Sequence, residues 1–90
     1  MTRQIYRTSA FKKDVRRMKK RNRDFTVFRQ IIQDIADGAG LEEKYRDHKL
    51  SGSFEGKREC HIEPDWLLIY ETEEDSLTLV RTGTHADLFR

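Results

Sequence analysis

The sequence predicts an α+β fold with the element order β-α-α-β-β-β. Two helices pack on one face of an antiparallel sheet, and a short helical turn closes the chain. Two patterns and the change between them carry this prediction. Over residues 11–35, apolar side chains recur at three- and four-residue steps, the period of a helix with one buried face. From Phe54 onward the period falls to two, interrupted by the polar turns Pro64-Asp65 and Glu73-Glu74-Asp75-Ser76, which is the pattern of a three-stranded meander. With 90 residues, the whole chain (1–90) is expected to form one domain.

Gln4-Ile5-Tyr6-Arg7 is short and starts the first strand. The first helix places Phe11, Val15 and Met18 on one stripe, with Ser9 as its expected N-cap and Asn22 or Arg23 as its end. Phe28, Ile31, Ile32 and Ile35 make the second helix, over about Phe25 to Asp37. Asp24 is its expected cap, and Gly38-Ala39-Gly40 its stop, since glycine enters the left-handed region at helix ends. Residues 41–53 are polar and irregular and read as a functional loop. In Arg58-Glu59-Cys60-His61-Ile62-Glu63, alternation sets Cys60 and Ile62 on one face and His61 with its neighbouring glutamates on the other. Trp66-Leu67-Leu68-Ile69-Tyr70 is the central strand and Leu77–Thr82 the last one, with Thr84 capping the final helical turn.

Mean hydropathy is −0.88, yet nine aromatic residues argue for a packed core. No run of 18 apolar residues occurs, and MTRQIYRTSAFKKD has no apolar stretch of the signal-peptide kind, so neither a membrane partner nor export is expected. The single cysteine fits a reducing, cytoplasmic compartment. Formal charge is only +2, but it is unevenly distributed. Residues 1–30 hold eleven Lys/Arg against two acidic side chains, net +9; residues 31–90 hold seven against fourteen, net −7. A basic segment of that density is either a solvated helix face or a surface for a polyanion.

His48, His61 and His85 all lie in the acidic part, on segments that border one open sheet face, with Asp65 in the adjoining turn. Three chemistries can use such a cluster. Imidazole and carboxylate together suit zinc or iron(II), although no pair here has the spacing of a helical metal site. Histidines also serve as general acid and base near neutral pH. Cleavage of RNA by its own 2′-hydroxyl needs one base, one acid and positive charge at the phosphorus, which two histidines and Arg81 supply without a metal or other cofactor. Cys60 is the third option, as a nucleophile, although an inward-facing thiol reads better as core.

Tyr45-Arg46-Asp47-His48-Lys49-Leu50, His61-Ile62-Glu63-Pro64-Asp65-Trp66-Leu67-Leu68-Ile69-Tyr70 and Arg81-Thr82-Gly83-Thr84-His85-Ala86-Asp87-Leu88-Phe89 resemble the YafQ branch of the RelE/ParE toxin superfamily. The likeness covers residues 44–89 closely, including Gly52-Ser53-Phe54 and Gly56; the N-terminal half is similar in pattern only. Arg90 after Phe89 departs from the family's usual small ending. The resemblance implies a RelE-like fold and a ribosome-dependent mRNA interferase, the toxin of a type II toxin–antitoxin pair. Such toxins cut mRNA in the ribosomal A site by 2′-hydroxyl attack, leave a 2′,3′-cyclic phosphate and use no metal. It implies a catalytic set of His48, His61, Asp65 and His85, with Trp66 and Phe89 at positions tied to RNA placement or activity. His85, at the strand end beside Arg81, is the better acid and His48, on a loop able to adjust around the nucleotide, the better base, although the roles can be exchanged.

Trp66 reads either as a base-stacking ring or as core, and Phe89 either as an RNA contact or as a hydrophobic lid. Arg16, Arg17, Lys19, Lys20, Arg21 and Arg23 fit ribosomal RNA or an acidic segment of the antitoxin equally well. The expected partners are the 70S ribosome with mRNA and a DinJ-like antitoxin. The toxin alone is expected to be a monomer that forms a hetero-oligomer with the antitoxin. The competing readings are a gyrase-poisoning toxin of the ParE branch, whose members lack this His/Asp set, and an inactive binding module.

Overall fold

A computed structural model describes residues 2–89. The element order is β1 (Gln4–Arg7), α1 (Ser9–Lys20), α2 (Thr26–Ala36), β2 (His48–Lys49), β3 (Arg58–Glu63), β4 (Trp66–Thr72), β5 (Ser76–Gly83) and α3 (His85–Phe89). Single 3₁₀ turns at Glu43–Tyr45 and Gly52–Phe54 flank β2. The expected α+β order holds, and β3-β4-β5 form the antiparallel meander. Two features add to it. β1 lies parallel to β5, because the two helices carry the chain back before it re-enters the sheet. The 41–53 segment is not all loop, since His48 and Lys49 pair with Glu59 and Arg58 of β3 and complete a five-strand sheet of order β1-β5-β4-β3-β2.

The helix ends show local chemistry displaced by one residue from the expectation. Thr8, not Ser9, caps α1: its hydroxyl accepts the Phe11 N–H at 3.0 Å while its own backbone stays extended. Asp24 does accept the Thr26 N–H at 2.9 Å, although Phe25 occupies the cap position of α2. Gly38 closes α2 at φ +78°, where the Ala39 N–H reaches the Asp34 carbonyl at 2.9 Å.

One face of the sheet carries the core. Phe11 and Met18 of α1, and Phe28, Ile31 and Ile35 of α2, pack on Cys60, Ile62, Leu68, Tyr70, Leu77 and Leu79. Trp66 is fully buried there (0% exposed), stacked on Phe28 at 5.3 Å and edge-on to Phe25 at 5.2 Å. A small cluster of Leu67, Ile69 and Leu88, with Leu50, Phe54 and Val80 at its margin, covers part of the opposite face. The alternation in β5 shifts at a bulge, where Tyr70 pairs Leu79 but Ile69 pairs Arg81, leaving Val80 over. Beyond it Thr82 turns into the helix-covered core, where its hydroxyl accepts from Trp66 Nε1 (2.9 Å) and donates to the Leu67 carbonyl (2.7 Å).

Asp14 interrupts the apolar stripe of α1, yet it is 1% exposed. Its carboxylate accepts two bonds from Arg81 (2.6 and 3.0 Å) and the Thr82 N–H (3.1 Å), joining α1 to the end of β5. Replacing Asp14 by Ala strands a buried N–H and releases the arginine. Arg81 retains access to water, so the loss should be about 2–3 kcal/mol, below the ~3–5 kcal/mol for a fully buried pair. Urea unfolding should show it as a lower midpoint at unchanged slope. An unmoved midpoint contradicts this reading.

Candidate active site

His61 leaves β3 on the face opposite Cys60 and Ile62, as alternation predicts. Two further segments converge on it. β2 brings His48 alongside, and its ring centroid lies 6.3 Å from that of His61. On the other side, the pairings His61–Leu67 and Leu67–Gly83 set the end of β5 level with His61, and the chain turns there into α3. The His85 ring lies 5.9 Å from that of His61. Gly83 is needed at that turn, because a Cβ would stand 3.0 Å from the Asp87 side chain.

α3 is held by a reciprocal cap. The Thr84 N–H donates to Asp87 (3.0 Å) and the Asp87 N–H donates to the Thr84 hydroxyl (3.2 Å). Asp87 also receives a bidentate pair from Arg21 at 2.7 and 3.1 Å, which holds its carboxyl well below the usual range. The loop before β2 is fixed in a similar way: Asp47 accepts from Tyr70 and twice from Arg58 at 3.2 Å.

Both outer histidines have one ring nitrogen committed. His48 Nδ1 lies 2.7 Å from the Arg46 carbonyl, which only accepts, so Nδ1 carries the proton. His85 Nδ1 donates to Asp65 Oδ1 at 2.6 Å, and the same oxygen takes the His85 backbone N–H at 2.9 Å. Those two bonds, backbone first, lower the Asp65 carboxyl pKa. Asp65 therefore orients His85. In each outer ring Nε2 is the nitrogen left for a substrate. His48 and His85 are about half exposed (side chains 49% and 55%), while His61 is 15% exposed. Burial lowers the His61 pKa; Glu59 opposes that shift, and His85, Arg46 and His48 add to it.

A groove of about 560 Å³ opens beside His61 and His85, walled by Val27, Tyr45, Ile62 and Pro64 and edged by Lys44 and Arg46. Among the described residues no group of three or more His, Cys, Asp or Glu is arranged to hold a metal ion.

The structure puts Trp66 in the core and Arg81 against Asp14, and it bears out the core reading of Cys60. Trp66 cannot stack on a base, since both faces of its ring are packed in the core and its N–H is bonded to Thr82. Arg81 does not stand free beside His85 but is bound to Asp14 in two places. Cys60 is buried and its thiol is pushed up to about 12 by that burial, which removes it as a nucleophile. Phe89 is half exposed (49%) and meets Phe54 edge-on at 5.9 Å. Lys19 and Lys20 are exposed on α1 without ion pairs among the described residues, whereas Arg21 is tied to Asp87 and Arg23 to Glu63. Sequence reasoning missed Arg46, and it missed Glu59 although alternation had set it on the face of His61.

A family model described as the bacterial toxin of type II toxin–antitoxin systems, YafQ, matches residues 3–90. The chain belongs to the YafQ toxin family. A curated relative, the mRNA interferase toxin YafQ of Escherichia coli (strain K12), is 39% identical over 88 residues, 97% of this chain and 96% of that protein. The toxin in the crystal structure of the E. coli DinJ–YafQ complex superposes with a TM-score of 0.92 at 37% identity, covering 100% of both chains. A copper-bound mutant toxin from Helicobacter pylori superposes equally well, at 0.92 and 32% identity, over 99% of this chain and 100% of that one. Among the described residues, no helix of this family member is long and apolar enough to cross a membrane.

Proposed function

We propose that the protein is an mRNA interferase: an endoribonuclease toxin that cuts mRNA in the ribosomal A site and is countered by a DinJ-like antitoxin. The observation that carries this reading is the placement of two histidines on either side of His61, each with Nδ1 committed and Nε2 open. His48 Nε2 takes the proton of the 2′-hydroxyl as that oxygen attacks the adjacent phosphorus. The 5′-oxygen leaves with a proton from Nε2 of His85, whose cationic form Asp65 supports from the far side of the ring. The products are a 2′,3′-cyclic phosphate and a 5′-hydroxyl. His61, whose protonation burial disfavours, contacts the phosphate between them. Positive charge for the phosphorane comes from Arg46 at the groove, since Arg81 is engaged elsewhere.

The groove is open, and the residues around it make few contacts to hold a long RNA. Ordering of the mRNA by the ribosome therefore supplies much of the alignment. Lys19 and Lys20, with Lys12, Lys13 and Arg16 on the same helix, form the docking surface for ribosomal RNA. The relation to the E. coli complex supports a DinJ-like antitoxin as the binding partner.

Two tests follow from this reading. His48→Gln and His85→Gln should each lower mRNA cleavage on programmed ribosomes by about 10²–10⁴-fold while leaving the thermal transition in place. Primer extension with and without a chelator, on ribosomes kept intact, accompanies them. Full activity in both variants overturns the acid–base assignment, and cuts lost on chelation transfer the chemistry to a metal. In the second test, Lys19→Glu/Lys20→Glu spares the Arg21–Asp87 bond and should weaken 70S binding on the order of tenfold, more at low salt than at high. Antitoxin binding should change less, and the opposite ranking reassigns the patch to the antitoxin.

A further inference from the structure

Glu59 is a nearly buried carboxylic side chain among histidines, and the reaction as derived above does not use it. It is the register partner of His48 across β2–β3 and of Ile69 across β3–β4, and its side chain is only 7% exposed. A single oxygen, Oε1, lies 3.4 Å from His48 Nε2 and 3.5 Å from His61 Nε2. We propose that Glu59 is a positioning residue: one buried carboxylate shared by His48 and His61, which fixes both rings at the groove and accepts the positive charge that a proton brings to either. The proposal rests on the acid–base reading above and adds to it the group that makes the base effective.

The geometry explains why one oxygen serves two rings. At 3.4–3.5 Å neither contact is a strong hydrogen bond, so neither Nε2 is used up. Because His48 Nδ1 already donates to Arg46, a proton taken from the 2′-hydroxyl must arrive on Nε2, 3.4 Å from the Glu59 carboxylate. The charge of that carboxylate, itself only 7% exposed, stabilises the imidazolium as it develops. Glu59 itself meets His48 from β2 and His61 on its own strand and pairs with Ile69 of β4, while Arg46 from the turn before β2 and His85 from α3 act on His61. Arg46 and His85 both oppose a second positive charge at His61, and Glu59 favours it.

The test is Glu59→Gln, which keeps the shape and removes the charge, with Glu59→Asp as the charge-keeping control. Cleavage on ribosomes should show kcat reduced on the order of 10–100-fold with KM nearly unchanged, and partial recovery in the aspartate variant. In the free protein, the NMR titration midpoint of His61 should move to lower pH in Glu59→Gln. A fall in kcat with His61 unmoved means a packing role and overturns the proposal, as does a shifted His61 with kcat within twofold of the parent. Should the glutamine variant fail to fold, the wild-type Glu59 carboxyl ¹³C resonance decides. An inflection in step with the histidines supports sharing, and its absence refutes it. A wild-type protein that cuts no RNA refutes the interferase reading instead, and the titrations still report on Glu59.

Discussion

The end of β5 is anchored by one buried carboxylate, and the position of His85 depends on that anchor. Asp14 holds Arg81 and the Thr82 N–H, so the helix that carries it cannot shift relative to the strand without breaking three charge-assisted bonds. The same helix supplies Arg21 to Asp87, and Asp87 caps α3 at Thr84, one residue before His85. His85 is thus referenced to α1 at two points. A five-residue helix could not hold that position from its own backbone bonds.

The division of charge along the chain acquires a spatial meaning. The basic segment is mostly α1, one side of which is spent on internal acids while the other presents Lys19 and Lys20 to solvent. The acidic part is likewise not a uniform repellent surface. Asp47, Asp65 and Asp87 each hold a cation, a histidine ring or a backbone N–H in place, as Asp14 does from within the basic segment. These acidic residues fix the segments that carry the histidines, while Lys19 and Lys20, which make no ion pair among the described residues, face outward.

Much of this was legible in the sequence because it is local. The period of two in Arg58–Glu63 put His61 opposite Cys60, and the Thr-Gly-Thr-His run marked a cap before the last turn. Three features were not legible, and each has a physical reason. β2 is two residues long, too short to show a period, and exists because β3 offers it an edge. Arg81 read as a free cation because its partner lies 67 residues away, at a helix position where an acid looks like surface. Trp66 was open to two readings until Phe25 and Phe28 were seen closing over its ring. Alternation had set Glu59 on the correct face, but not its depth: only the pairing of β2 on one side and Ile69 on the other buries it.

The central claim is that histidines on an open sheet face move protons while the RNA supplies its own nucleophile. The most direct measurement is the chemistry of the new ends after wild-type cleavage on programmed ribosomes. The account predicts a 2′,3′-cyclic phosphate on the upstream fragment and a 5′-hydroxyl on the downstream one. A 3′-hydroxyl paired with a 5′-phosphate would mean that water attacked instead, and would contradict it.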